Sequence, residues 1–132
     1  MARKQERGYT LIELIIVFTM IGILVGLALP EYKNAVKKAK ENSLKENLFL
    51  FRTLINQYYS DKGKYPSSLQ TLVDEGYLRK IPVDQITTRI DWTEVRDEPK
   101  AEELEPGMEF GIVDVHSSSE AKALDGTLYN TW

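Results

Sequence analysis

The sequence has 132 residues, 42% hydrophobic and 28% charged, with no cysteine and a formal net charge of −3. That length supports one modest core rather than two, and the lack of thiols excludes a disulfide framework and a thiolate metal centre. An isoelectric point near 5.3 argues against a nucleic-acid binder, because such proteins concentrate Lys and Arg against phosphates.

The first eight residues, MARKQERG, set Arg3, Lys4 and Arg7 against Glu6. From Tyr9 to Pro30 every residue is apolar or small except Thr10, Thr19 and Glu13. The uncharged part, Leu14 to Pro30, is 17 residues long, longer than a secretory h-region usually is, and no small-residue cleavage site follows it. A helix over residues 9–30 would be roughly 33 Å long at about 1.5 Å per residue, matching a bilayer core of about 30 Å. The basic leader favours a cytoplasmic N-terminal end and export of the remainder. The expected organisation is a leader at 1–8, an apolar span at 9–30 and an exported domain at 31–132.

An ionised side chain inside a membrane costs about 2.5–3.5 kcal/mol at mid-depth and is retained mainly where it has a function and a partner. Glu13 lies near the cytoplasmic end, and no Lys, Arg or His stands between it and Lys33. Its cation must come from another chain or from a new amine. Cleavage after Gly8 would create such an amine at Tyr9.

The stretch Gly8-Tyr9-Thr10-Leu11-Ile12-Glu13, with a basic leader before it and an apolar run after it, resembles the class III signal of type IV pilins and type II secretion pseudopilins. The resemblance implies that a prepilin peptidase cuts after Gly8 and methylates Tyr9, a position where the family most often has Phe. It further implies that Glu13 pairs with the terminal amine of a neighbouring subunit during assembly. Removing the leader would leave a formal side-chain charge of −5. Gly22, Gly26 and Pro30 punctuate the span. Small residues at this spacing allow close helix packing, Pro30 should bend or interrupt the helix, and the resemblance implies that the segment from Gly22 to Pro30 loosens on assembly.

Beyond Pro30, residues Tyr32, Val36, Ala39, Leu44, Leu48, Phe51, Ile55 and Tyr58 recur at near-helical spacing, with Lys37, Lys38, Glu41, Lys45, Glu46 and Arg52 mostly off that stripe. Glu41 and Lys45 are spaced for an i,i+4 pair. Gly63 and Pro66 should end this helix. A short second helix fits SSLQTLVDEGYL, capped by Ser67 or Ser68, burying Leu69, Leu72 and Val73, and closed by Gly76. The run from Asp61 to Pro66, with Leu69, Leu72, Gly76-Tyr77-Leu78 and Ile81-Pro82-Val83-Asp84, is similar to the mid-chain pattern of major pseudopilins. Alternation predicts two strands, in RIDWTEV with Ile90, Trp92 and Glu94 on one face, and in EFGIVDV with Phe110, Ile112 and Asp114 opposite Gly111, Val113 and Val115. The acid-rich, two-proline segment between them reads as a solvated connection. The expected fold is α+β: a long N-terminal helix packed on a small antiparallel sheet, type IV pilin-like.

Near the end of the chain, Ser117, Ser118, Ser119, Glu120 and Asp125, with the Leu124 carbonyl, offer the oxygen ligands that Ca2+ prefers, and the same residues serve equally as a polar loop turned by Asp125-Gly126. The resemblance, extended by the ending Gly126-Thr127 to Tyr129 and Trp132, implies a calcium loop here. His116 beside Ser117 and near Asp114 lacks a nucleophile elbow, so no catalytic residue is assigned. The aromatic residues are explained by core packing and helix contacts rather than by electron conduction.

Taken together, the resemblance implies a non-enzymatic filament subunit of a type II secretion system, closest to the major pseudopilin and forming a periplasmic pseudopilus. Its implied partners are further copies of itself, a prepilin peptidase, an inner-membrane assembly platform, minor pseudopilins and the membrane. Two alternatives stay open: a type IV pilin forming a surface fibre for adhesion, motility or DNA uptake, and a single-span membrane protein with a periplasmic binding domain that does not polymerise.

Overall fold

The computed structural model describes Gly8, residues 10–100, 102, 106–107 and 110–132. The expectations for Met1–Arg7 and Tyr9 lie outside the described residues. The chain divides into two compact units, one ending at Val36 and the other beginning at Lys37.

Helix α1 (Leu11–Lys62) is 52 residues long and its first part supplies the N-terminal unit. Thr10 starts it: the Leu14 amide donates to the Thr10 carbonyl at 3.3 Å, the first intrahelical bond. Leu, Ile and Val then present apolar side chains all round, with Leu11 75% exposed, Phe18 69% and Leu27 70%. A helix apolar on every face has no polar side to give to water, so its burial must come from lipid or other chains. The interruption expected at Pro30 does not occur: α1 runs through Gly22 and Pro30 without a break. A proline costs a helix interior about 3 kcal/mol and one hydrogen bond. Propagation on both sides outweighs a single such loss, because each further residue adds a bond at little extra cost.

In the second unit the remainder of α1 carries the core. Leu44, Leu48, Phe51, Ile55 and Tyr58 are buried, spaced by alternating threes and fours on one stripe. The stripe begins later than its sequence suggested, since Tyr32, Val36 and Ala39 are exposed. Its first buried member is an acid, Glu41, at 7% exposure. Helix α2 (Leu69–Asp74) is capped by Ser68, whose hydroxyl accepts from the Thr71 amide at 3.3 Å, and it buries Leu69 and Leu72 while Val73 stays half-buried. Gly76 follows at φ 82°, the left-handed conformation that glycine adopts without a Cβ clash.

Strands β1 (Thr93–Arg96) and β2 (Ile112–His116) pair antiparallel, shorter than the two alternating runs. The register slips between Val95 and Arg96, which face Asp114 and Ile112, leaving Val113 as an extra residue. This bulge corrects the expected facing of β2. Ile112 and Val115, three apart, are both fully buried, where strict alternation would have set them on opposite faces. Ile112 and Val115 pack with Phe51, Ile55, Tyr58, Leu69 and Leu72. A second cluster joins Leu44, Leu48, Ala123 and Tyr129, and Trp92 touches both, its ring edge-on to Phe51 at 4.9 Å. The result is an α+β fold with one long helix and a two-stranded sheet.

Candidate assembly site

At the N-terminal end the chain makes a reciprocal cap. The Thr10 amide donates to Glu13 Oε2 at 2.7 Å and the Glu13 amide donates to Thr10 Oγ1 at 3.3 Å. This is a capping box, in which Thr and Glu three residues apart each satisfy a backbone donor that the first helical turn leaves free. The spacing Thr-x-x-Glu before an apolar run is the sequence signal for this cap. Glu13 is in no ion pair among the described residues. The cap therefore orients the acid at the helix start without neutralising it. Gly8 is exposed.

A second carboxylate on α1 has the opposite surroundings. Glu41 Oε1 accepts from the Leu124 amide and the Tyr129 hydroxyl, each at 2.8 Å, so the anticipated pair with Lys45 is not its partner. Lys45 instead lies over the Trp132 ring, 4.8 Å from its centroid, a cation–π contact. Glu41 escaped the sequence reading because one acid on an apolar stripe looks solvated until the segment that covers it is known. Burial first, then the bond to Glu41, pushes the Tyr129 hydroxyl up to about 12.

The C-terminal segment is tied down at a third point. Arg52 Nε donates to Asp114 Oδ1 at 2.7 Å and Arg52 Nη2 to the Trp132 main-chain oxygen at 2.8 Å, while His116 Nδ1 meets that oxygen at 2.6 Å. Partial burial opposes ionisation of Asp114, but the Arg52 bond and the Val115 amide outweigh it and hold the carboxyl below its usual value. Ser117 donates to Asp84, not to His116. Histidine and hydroxyl thus serve separate structural ties. Asp84, fully buried, also accepts from the Ile86 amide at 2.8 Å, holding the turn that the Asp84–Arg89 bridge closes.

The residues considered for calcium lie in the loop between β2 and the 3-10 turn at Tyr129–Thr131. Ser118, Glu120, Leu124 and Asp125 are exposed and Ser119 is half-buried. Asp125 Oδ1 accepts from Thr127 Oγ1 at 2.6 Å and from the Thr127 amide at 2.9 Å, bonds that lower its pKa. The donors are all oxygen, as a hard cation requires. Among the described residues, however, no three acidic or histidine side chains gather as a metal-binding group. The loop is already anchored by Glu41 and by buried Ala123 and Tyr129.

Residues 3–29 match the prokaryotic N-terminal methylation motif. The chain is 32% identical over 100 residues to type II secretion system core protein G of Pseudomonas aeruginosa, covering 64% of this chain and 70% of that protein. It is 27% identical over 100 residues to core protein G of Klebsiella michiganensis, with the same coverage of each chain. The type IV major pilin protein PilA of Myxococcus xanthus is 38% identical over 61 residues, covering 46% of this chain and 28% of the pilin. No solved structure matches the chain.

Proposed function

We propose a function from one established premise: the chain belongs to the family of type II secretion system core protein G, the major pseudopilin. It is a structural filament subunit that assembles into a pseudopilus serving protein export. The observation that carries this reading is Glu13, an acid at the head of the apolar part of α1, oriented by its own first turn and in no ion pair among the described residues. Prepilin peptidase cleaves after Gly8 and methylates Tyr9, and the new amine of one subunit pairs with Glu13 of the next. In low dielectric, a lone carboxylate and a lone ammonium each cost several kcal/mol, and pairing recovers much of that. Subunit addition is thereby fixed in register. Residues 9–30 span the inner membrane and then enter the filament core, residues 31–132 lie in the periplasm, and the stretch from Gly22 to Pro30 loosens on assembly. An inner-membrane platform and minor pseudopilins are the further partners. Ca2+ is a candidate ligand of the Ser118, Ser119, Glu120, Leu124 and Asp125 loop.

The pilin reading is less favoured because the likeness to PilA covers little more than a quarter of that protein. Mass spectrometry of the chain from assembling cells should find a methylated Tyr9 terminus, and Glu13→Gln should be processed normally yet yield few filaments. Retention of Met1–Gly8 in filaments, or abundant filaments from Glu13→Gln, would overturn the proposal.

A further inference from the structure

Charge is unevenly placed along this chain. Residues 31–40 hold Lys33, Lys37, Lys38 and Lys40 against Glu31 alone, whereas residues 41–132 hold seventeen acids against ten Lys and Arg. None of the four lysines is in an ion pair among the described residues, where the pairs use Arg52, Lys62, Arg89, Arg96 and His116. Lys37 Nζ donates to the Lys122 carbonyl at 2.9 Å, a neutral acceptor that leaves its charge uncompensated. Lys37 also occupies the stripe that continues as Glu41, Leu44 and Leu48, so a core-forming face ends in a cation. Lys33, Lys38 and Lys40 are exposed.

We propose that these four lysines bind anionic phospholipid headgroups while the subunit rests in the membrane. This depends on residues 9–30 being the span, as argued above. The lysines follow Pro30 by three to ten residues, and lysine stems are long enough to carry their ammonium groups back to an interface. Basic residues clustered beside a span are drawn to anionic lipid within a Debye length of about 8–10 Å. The same surface repels the net-acidic residues 41–132, so lipid contact is confined to the basic segment. Acidic groups of a second copy are the competing occupant. Lipid is favoured because each subunit meets the bilayer before it meets a neighbour, and because the lysines directly follow the span.

The test uses the chain from Tyr9 to Trp132, without Arg3, Lys4 and Arg7 that also flank the span, in phosphatidylcholine vesicles containing spin-labelled phosphatidylglycerol or spin-labelled phosphatidylcholine. At low salt the wild-type chain should immobilise phosphatidylglycerol with about fivefold or greater preference, falling with added salt. K33Q/K37Q/K38Q/K40Q should bring the preference to about one, the four Lys→Arg changes should keep it, and K62Q/K64Q should leave it unchanged. Absence of preference in the wild type, or its survival in the quadruple Gln variant, would overturn the proposal. So would loss of self-association by that variant in pure phosphatidylcholine without any lipid preference in the wild type, which would assign the lysines to a second copy. Release of the wild-type chain from vesicles by alkaline carbonate would instead refute the span, and the proposal with it.

Discussion

Glu13 and Glu41 are carboxylates on one helix with different surroundings. Among the described residues Glu13 is exposed and bonds to the backbone and hydroxyl of its own first turn, whereas Glu41 is buried and accepts from two groups of the C-terminal segment. Hydrogen bonds to a charged acceptor contribute about 1.5–3 kcal/mol. Glu41→Ala should therefore lower the unfolding free energy of the globular unit by about that much in denaturant titrations, with faster exchange of the Leu124 amide. Tyrosines give a second residue-scale prediction. The bond to Asp61 first, then burial, pushes Tyr77 up to about 12, as burial and Glu41 do for Tyr129. Both values lie above the ordinary 10, so their contribution to stability is intact below pH 10 and lost as pH climbs from 10 towards 12. Burial, then the nearby Glu75 carboxylate, also raises Tyr58, so three of the seven tyrosines should ionise late in an ultraviolet titration, and Tyr129→Phe should remove one of them. Asp114 acts in the opposite sense. Its lowered pKa gives stability that is present above the ordinary carboxylate value near 4 and lost as pH falls through the folded value.

At the scale of elements, the residue leading into β2 and the connection between α1 and α2 meet at a close approach that only glycine permits. A Cβ on Gly111 would lie 2.7 Å from the Tyr65 carbonyl oxygen, while the adjacent Ile112 amide donates to the Pro66 carbonyl at 2.8 Å. Backbone cannot yield as a side chain does, and overpacking costs about 1–3 kcal/mol or more. Gly111→Ala should lower the melting temperature of the globular unit by several degrees, whereas Gly111 reads from sequence as an ordinary strand position. The bulge in β2 was equally hidden, since alternation is a local pattern and a bulge is set by what the partner strand must bury. Helix α1, by contrast, was legible over nearly its whole length because its periodicity is long. Pro30 does not interrupt it, because the continuing helix absorbs the local cost, and the buried stripe starts at Glu41 rather than at Tyr32.

For the molecule as a whole, the division at Val36 and Lys37 separates an apolar rod from a unit with its own core. A fragment of residues 37–132 should be soluble and unfold cooperatively, which circular dichroism would check. The proposed calcium loop belongs to this scale because it joins β2 to the 3-10 turn at Tyr129–Thr131. Millimolar Ca2+, the range of extracellular calcium modules at about 10⁻⁴–10⁻³ M, should raise the fragment's melting temperature, and Asp125→Ala should abolish the rise. An unchanged transition would leave Glu41, Tyr129 and Arg52 as the loop's sufficient anchors.

The sequence by itself determined the apolar run, the lone acid within it, the N-terminal methylation motif, the two helices and the approximate strands. Each of these depends on neighbours within a few residues or on composition over one window. Only the tertiary structure decided that Glu41 lies in the core, that Ser117 serves Asp84 and not His116, and that Arg52 holds the end of the chain. Those partners stand 33 to 88 residues apart, and a polar side chain's burial follows from what closes over it, which local pattern does not encode.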